Sequence, residues 1–321
     1  ALATLAIDYL IMALAETYWV LLTGRVIAGM AGATYITATA YISDITKPEE
    51  RGPAFGMIGA AFGIGFVFGP AIGGISSGWH VTAPFWIAAA LSIINMVFGF
   101  FILPESLKEE NRRPFGKRDL NPFATIFRAF FIPGLAIPLI CIFVFEFANM
   151  VYPSLWAFWG REVFGWNGFT IGLTLSAYGI LIALVQAGLM PQITKRIGEY
   201  KTLIIASIAA VIGLVGFGFS NAAWAVAIVL PFAALSDMAP PLLTAFAANS
   251  VGDDQQGLVQ GVIASLSSIA AVAAPLILTG VFERFVNDQG LYFPGAPFLI
   301  AALLTIMIIP LIKRLDPRKS P

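Results

Sequence analysis

Ten apolar stretches, each close to the length of a membrane-spanning helix, limit the folds that this chain can adopt. A hydrocarbon core of about 30 Å and a rise of about 1.5 Å per residue require about 20 mostly apolar residues for each span. Lipid offers no partner to backbone groups, and the stretches are unbroken rather than alternating, so they predict α-helices and not a β-barrel. The predicted fold class is all-α, that of a polytopic membrane protein. The spans are placed at residues 1–15, 18–43, 54–76, 83–103, 130–152, 168–189, 202–220, 223–247, 258–282 and 295–312.

The composition agrees with this class and excludes several functions. Hydrophobic residues make up 59% of the 321 residues and charged residues only 11%, too few for a water-exposed surface. The 18 basic and 18 acidic residues leave no net charge, so the basic field that a nucleic-acid partner requires is absent. A single cysteine, Cys141, excludes an internal disulfide, and with one histidine, His80, the chain builds neither a histidine-rich metal site nor a catalytic triad. We expect no metal site and no enzymatic activity.

The basic residues of the connections are distributed asymmetrically. Alternate connections hold fifteen of the 18 Lys and Arg residues, at 47 and 51, between 108 and 128, between 195 and 201, and after 312. The opposite connections hold only Arg161 and Arg284, while Arg25 lies inside a span. Because cationic flanks resist translocation, the side rich in Lys and Arg faces the cytoplasm. Both chain termini are therefore expected in the cytoplasm.

The two ends of the chain repeat each other. Four positions in and just before the third span return with identical spacing 205 residues later. These pairs are Arg51 and Gln256, Gly52 and Gly257, Gly56 and Gly261, and Pro70 and Pro275. The following spans open with the tripeptide Ala-Pro-Phe, at residues 83–85 and 296–298. Repeated halves of this kind are typical of secondary transporters, whose substrate site lies between the halves near the bilayer midplane.

The repeat also predicts the domain organisation. Residues 1–103 form an N-terminal helical half, residues 104–129 a charged cytoplasmic linker, and residues 130–321 a C-terminal helical half with two more spans. The first span, with 15 residues, is short for a membrane crossing. By symmetry, two spans of a six-plus-six parent are missing from the first half, through either a cropped chain or a truncated gene. A non-transporting remnant is therefore one alternative for the function.

A glycine-rich signature in the third span carries a family resemblance. Gly65, Gly69 and Gly73 recur every four residues and make one helix face small enough for another helix to approach, while Pro70 bends the helix. Together with Gly74 they form the pattern Gly-x3-Gly-Pro-x2-Gly-Gly, which resembles the antiporter motif in the fifth helix of the major facilitator superfamily. The chain most closely resembles the drug:proton antiporters of the tetracycline efflux type, over essentially its whole length. Ordinary packing of small residues is the alternative for this motif.

Two charged residues lie inside the first two spans. Arg25, followed by Gly29 and Gly32, resembles the fourth-helix motif of the family, and Asp8 resembles the third-helix aspartate of tetracycline pumps. A buried arginine costs roughly 2.5–3.5 kcal/mol on insertion scales, so it requires an acid, a carbonyl or water as its partner. The resemblance implies that both residues couple proton movement to transport. The alternatives are a structural ion pair of Arg25 with Asp8, and a structural hydrogen bond of Asp8.

Two further acids lie in spans of the second half. Burial disfavours the charged form of a carboxyl group, and a proton carrier has to take up a proton near neutral pH. Asp237 and Glu146 are therefore candidates for proton coupling or substrate binding. Pro240 and Pro241 follow Asp237 and predict a broken helix with freed carbonyl groups. The resemblance gives Asp237 the role of an acid in the tenth helix of tetracycline pumps. Glu146 shares a helix face with Asn149, which suggests a polar cavity wall for a cationic or chelated substrate; a packing role is the alternative.

Aromatic and amide side chains supply further candidates for a cavity wall. Besides Asn149, these are Tyr152, Tyr178 and Gln186. Lipid contact and internal packing are the alternatives for each. Tryptophans near the predicted span ends are expected at the membrane interface. They are Trp19, Trp79, Trp159, Trp166 and Trp224.

Two cytoplasmic connections resemble gating loops of the family. Arg196, Gly198 and Lys201 resemble a degenerate copy of the family's basic loop motif, although no acid precedes Arg196. The connection before the third span carries charges that resemble those making gating contacts in the family, with a solvated loop as the alternative. These are Asp44, Glu50 and Arg51.

The resemblance implies a proton-coupled antiporter that exports a hydrophobic, tetracycline-like drug by alternating access. Residues 1–103 would correspond to family helices 3–6 and residues 130–321 to helices 7–12 of the major facilitator fold. The implied partners are the drug, protons and the lipid bilayer, with no cofactor beyond the proton gradient, although the drug is allowed to carry a divalent cation. The protein would act as a monomer in the inner (plasma) membrane of a bacterium. A symporter that imports a sugar or metabolite on the same fold is the closest alternative.

Overall fold

Helices account for nearly all of the chain that the computed structural model describes, namely residues 2–30, 38, 41–42, 45, 51–104, 122–252, 255–287 and 290–315. Long apolar runs favour the helix because it satisfies each backbone group within its own segment. No strand occurs in these ranges, and the all-α prediction is confirmed. Within the same ranges, seven helices are long and apolar enough to span a membrane. Two shorter apolar helices cover Leu2–Leu14 and Gly63–Ser77.

Contacts divide the chain into two compact units. Unit 1 comprises Ala1–Pro114 and Asn167–Gly179, and unit 2 comprises Phe115–Trp166 and Ile180–Pro321. The helices of the first part of unit 1 follow one another in chain order, and α1 packs against both α2 and α4. They are α1 (Leu2–Leu14), α2 (Tyr18–Met30), α3 (Arg51–Ser77) and α4 (Ala83–Ile102).

The later helices form unit 2, except that the first part of α8 belongs to unit 1. In unit 2, α10 packs against α11 and α14, and α6 packs against α13 and α14. A π turn at Val185–Leu189 joins α8 to α9. The helices are α5 (Pro122–Ala129), α6 (Ala136–Asn149), α7 (Val151–Phe164), α8 (Gly168–Leu184), α9 (Met190–Ile197), α10 (Glu199–Phe219), α11 (Ala223–Ser236), α12 (Ala239–Ala248), α13 (Gln256–Asn287) and α14 (Ala296–Ile312).

Two predicted spans have the wrong ends. The span predicted at residues 130–152 begins only at Ala136, after a turn in which Gly134 has φ +82°, and it continues through α7 to Phe164. The span predicted at residues 168–189 continues to Ile197. That span ends before Gly198, whose φ of +85° is not helical and is a backbone conformation that residues other than glycine rarely adopt. Both spans are therefore longer than their most apolar segments.

The internal repeat coincides with the ends of the helices. Helices α2 and α11 begin 205 residues apart, at positions 18 and 223, and α3 and α13 begin at positions 51 and 256. Helices α1 and α10 end at positions 14 and 219, again 205 residues apart. The repeat found in the residue pattern is thus also a repeat of helices.

Equivalent helix pairs in the two units pack through one glycine and one branched side chain. A Cβ atom on Gly24 of α2 would lie 2.9 Å from Cγ2 of Ile11 of α1. A Cβ atom on Gly216 of α10 would lie 2.7 Å from Cγ2 of Val229 of α11. Ile11 and Gly216 are equivalent in the repeat, as are Gly24 and Val229. The branched side chain therefore lies on the first helix of the pair in unit 1 and on the second helix of the pair in unit 2. Either arrangement lets the two helices approach closely.

Gly24→Ala is expected to destabilise unit 1, because the added methyl group would overlap Ile11 and lie 3.1 Å from Oδ1 of Asp8. Overpacking of this kind costs about 1–3 kcal/mol of unfolding free energy. Gly29→Ala in the same helix is the matched control, since no heavy atom of the described residues lies within 4 Å of a Cβ there. Thermal unfolding of the purified protein in detergent measures the difference. Equal melting temperatures for the two variants would contradict the contact.

A cluster of aromatic rings lies in the core of unit 2. The ring of Trp159 has its centroid 5.1 Å from that of Phe298 and 6.0 Å from that of Phe217. Trp159 lies in α7, beyond the predicted end of its span, and is only 1% exposed, so it packs within the protein rather than facing lipid. Trp19 and Trp79 are largely exposed.

The loop before α14 is attached to the last turn of α7. Tyr292 donates its hydroxyl hydrogen to Oε1 of Glu162 at 3.0 Å. Partial desolvation, together with the hydrogen bond and the negative charge of Glu162, raises the pKa of Tyr292 above its usual range. The phenol therefore stays neutral and keeps donating across the physiological pH range.

Candidate functional site

Asp8 and Arg25 form an ion pair in unit 1. The Asp8 side chain is 0% exposed and that of Arg25 is 53% exposed, and Nη2 of Arg25 donates to Oδ2 of Asp8. The short connection between α1 and α2 makes the two helices neighbours, which brings the acid and the base together. A buried carboxylate is costly unless it is paired, so Arg25 compensates for the burial of Asp8. Both a structural ion pair and a role in coupling require this contact.

The other carboxylate oxygen of Asp8 faces α2. Among the described residues, Oδ1 of Asp8 has no hydrogen-bond partner. It lies beside Gly24, where a Cβ atom would be 3.1 Å away. This oxygen can therefore bind a proton without the loss of an existing hydrogen bond.

The glycine-rich motif of α3 packs against the start of α8, within unit 1. A Cβ atom on Gly74 would lie 2.9 Å from the carbonyl oxygen of Gly168 and 3.2 Å from Cα of Gly172. One turn further along α8, the hydroxyl of Ser176 donates to the carbonyl oxygen of Val67 at 2.8 Å. Gly168, Gly172 and Ser176 are four residues apart, a small-residue spacing by which sequence analysis could have found this contact.

The contact of Gly74 with α8 lies on a different face of the helix from Gly65, Gly69 and Gly73, whose predicted role stays a prediction. No heavy atom of the described residues lies within 4 Å of a Cβ at Gly65, Gly69 or Gly73. Gly74 lies one residue beyond that series, which is about 100° around a helix. Pro70 precedes Gly74 by four residues, and its carbonyl oxygen also lies against α8. The period of the glycines identified a small face, but it could not show which face has a neighbour.

Gly74→Ala is expected to destabilise the contact between α3 and α8, because the backbone atoms opposite the new methyl group cannot move aside as a side chain can. The expected loss is about 1–3 kcal/mol of unfolding free energy. Gly73→Ala is the matched control, and alanine there is expected to stabilise the helix by up to about 1 kcal/mol. Thermal unfolding compares the two. A larger loss for Gly73→Ala than for Gly74→Ala would contradict the assignment of the packed face.

Asp237 lies at a break in its helix. Helix α11 ends at Ser236, and α12 begins at Ala239, so two residues between them are not part of either helix. Pro240 and Pro241 lack the N–H groups that a continuous helix would need in its next turn. The predicted break at Asp237 is therefore confirmed.

Two of the predicted cavity residues lie near Asp237 in unit 2. The side-chain amide of Gln186 donates to the backbone carbonyl oxygen of Asp237 at 3.2 Å. The carboxylate of Asp237 acts electrostatically on the buried hydroxyl of Tyr152. The ring of Tyr152 packs against those of Phe217 and Phe298, with centroids 5.8 and 6.2 Å away. The structure thus brings together three residues that are far apart in the sequence.

The other candidates for the cavity wall are half-buried. Glu146 and Asn149 lie three residues apart near the end of α6, in unit 2, and therefore share a helix face. Tyr178 lies on the part of α8 that groups with unit 1. The roles of these three residues stay predictions.

The predicted gating residues fall only partly within the described ranges. Arg196 is exposed in the last turn of α9, and Lys201 is exposed in the first turn of α10, with Gly198 as the only residue between the two helices. Arg51 is the first residue of α3. The predicted residues outside the described ranges are Asp44 and Glu50.

The sequence matches one known family over most of its length. The profile of the Major Facilitator Superfamily covers residues 1–275. The chain belongs to the major facilitator superfamily. This result confirms the resemblance carried by the motifs, and it makes the protein an integral membrane transporter of a small molecule, in a superfamily of transporters rather than enzymes.

Superfamily members with similar sequences include bacterial resistance proteins. The class C tetracycline resistance protein of Escherichia coli is 35% identical over 308 residues, which are 96% of this chain and 76% of that protein. The class G tetracycline resistance protein of Vibrio anguillarum is 32% identical over 98% of this chain and 79% of that protein. Among solved structures, the human organic anion transporter MFSD10 (TETRAN) has a TM-score of 0.71 at 21% identity, over 97% of this chain and 75% of that chain. This last similarity shows the fold alone.

Proposed function

We propose that the protein is a proton-coupled antiporter that exports a hydrophobic, tetracycline-like drug by alternating access. Two tetracycline resistance proteins at 35% and 32% identity, each aligned over nearly the whole chain, support a drug of this class. The glycine and proline motif of α3, which resembles the antiporter motif, supports exchange rather than import.

The observation that carries the proposal is the fully buried Asp8, which Arg25 pairs at one carboxylate oxygen. A carboxylate that pairs with an arginine when charged, and binds a proton when that pairing is lost, changes its charge inside a membrane span, as a proton carrier must. In the proposed cycle, protons from outside neutralise Asp8 or Asp237, weaken the polar anchor of the drug and favour its release. The acid loses its proton again when the site faces the cytoplasm. This cycle requires that the drug binds the two states with different affinities.

The proposal includes the surroundings of the protein. The fifteen Lys and Arg residues on one side of the membrane support cytoplasmic termini, in the inner membrane of a bacterium. We expect a monomer that needs no cofactor besides the proton gradient. A divalent cation would arrive only as part of a chelated drug.

Drug accumulation in cells tests the proposal. Cells that express the protein are expected to accumulate less tetracycline than control cells, and a protonophore is expected to remove the difference. Accumulation driven into the cell by the proton gradient would indicate a symporter instead. Equal accumulation with and without the protein would reject tetracycline as the substrate.

A further inference from the structure

The helix that begins at Gly168 changes its hydrogen-bond pattern before it ends. Val185–Leu189 form a π turn, in which the N–H of Met190 donates to the carbonyl oxygen of Val185, five residues earlier. Pro191 follows directly and has no N–H group, and in a regular helix its ring would clash with the carbonyl group four residues earlier. The wide turn therefore follows from Pro191, and it determines where the side chain of Gln186 points.

Pro240 and Pro241, two and three residues after the break at Asp237 and Met238, cannot donate to the backbone carbonyl group of Asp237. In a continuous helix this oxygen would accept from the N–H of residue 241, or from that of residue 240 in a tighter turn. Both positions are proline and have no N–H group. The turn before them is tight, with the N–H of Asp237 bonded to the carbonyl oxygen of Ala234 at 3.2 Å.

We propose that Gln186 is a positioning residue for Asp237, because its side-chain amide replaces the missing backbone donor at a distance of 3.2 Å. The bond connects the π turn to the break between α11 and α12, and it fixes the orientation of the turn from which the Asp237 carboxyl group projects. Gln186 thus acts on the acid rather than on the drug. The inference rests on the proposed role of Asp237 as a proton carrier.

Gln186→Met tests this role, because methionine keeps the length of the side chain and removes the donor. We expect the maximal rate of proton-driven tetracycline uptake into everted membrane vesicles to fall about five- to tenfold, the scale of one lost hydrogen bond. KM is expected to stay within about twofold, since the drug contacts are retained. Gln260→Met, at an exposed position of α13, is the matched control and is expected to keep the original rate.

Pro241→Ala provides a rescue that only a positioning role predicts. It returns an N–H group at the position that can donate to the carbonyl oxygen of Asp237. We expect the double variant Gln186→Met, Pro241→Ala to transport as fast as Pro241→Ala alone, with rates expressed per inserted protein. This comparison holds even where Gln186→Met alone fails to insert.

Three results would overturn the inference. They are an unchanged maximal rate for Gln186→Met, a raised KM at an unchanged maximal rate, and a double variant much slower than Pro241→Ala alone. Asp237→Asn in the same assay separates this inference from the proposed function. Proton-driven uptake that survives Asp237→Asn would reject Asp237 as a proton carrier, whereas its loss together with full activity of Gln186→Met would reject only the positioning role.

Discussion

Arg25→Ala is expected to lower the free energy of unfolding by about 3–5 kcal/mol, because it leaves the Asp8 carboxylate buried without its partner. The cost falls on Asp8, whose side chain is 0% exposed, rather than on the half-exposed Arg25. Chemical or thermal unfolding in detergent measures this loss. Arg161→Ala, at an exposed position of α7, is the matched control and is expected to leave stability unchanged within about 0.5 kcal/mol.

The double variant Asp8→Asn, Arg25→Ala distinguishes a structural ion pair from proton coupling. Removal of both charges relieves the unpaired buried carboxylate, so we expect most of the lost stability to return. Proton-driven drug transport is not expected to return, because asparagine cannot exchange a proton. Recovery of transport together with stability would show that the pair is only structural.

Asp237→Asn is expected to reduce proton-driven drug uptake to the level of membranes that lack the protein. Asparagine has nearly the same shape as aspartate, so the break between α11 and α12 and the hydrogen bond from Gln186 to the backbone are retained. The amide cannot bind and release a proton, so the proton-dependent steps of the cycle are lost while insertion and folding are preserved. Uptake into energised everted vesicles, with the amount of inserted protein measured in parallel, tests this expectation.

Two comparisons make the Asp237→Asn result specific. Glu283→Gln, at an exposed position of α13, is the matched control and is expected to keep full activity. Exchange of labelled for unlabelled drug without a proton gradient is expected to survive Asp237→Asn, because that exchange requires no net proton movement. Unchanged proton-driven uptake by Asp237→Asn would refute the assignment of Asp237.

The sequence predicted those parts of the fold that depend on local properties. The length of the apolar stretches located the helices, and the repeat of 205 residues matched the first residues of α2 and α11, at positions 18 and 223. The break at Asp237 was also predictable, because two adjacent prolines remove backbone donors wherever they stand. Helix ends were less predictable for the span at Ala136–Phe164, because its last helix continues beyond the most apolar segment and buries Trp159 among other side chains.

Contacts between residues far apart in the sequence were mostly not predicted. The regular spacing of Gly65, Gly69 and Gly73 indicated one small face of α3, but it did not reveal the contact of Gly74 with α8, because periodicity carries no information about where a neighbouring helix lies. The hydrogen bond from Gln186 to Asp237 joins residues 51 positions apart, and it depends on how a π turn rotates one side chain. Pairing of Asp8 with Arg25 was predictable as an alternative because a short connection joins their helices.

Simultaneous measurement of drug and proton movement in everted vesicles tests the central claim most directly. The vesicles are energised to an acidic interior, and tetracycline is added while uptake of the drug and internal pH are recorded. An antiporter is expected to take up the drug and to raise the internal pH at the same time, and Asp237→Asn is expected to do neither. Drug uptake without proton release, or drug and protons moving in the same direction, would contradict the account.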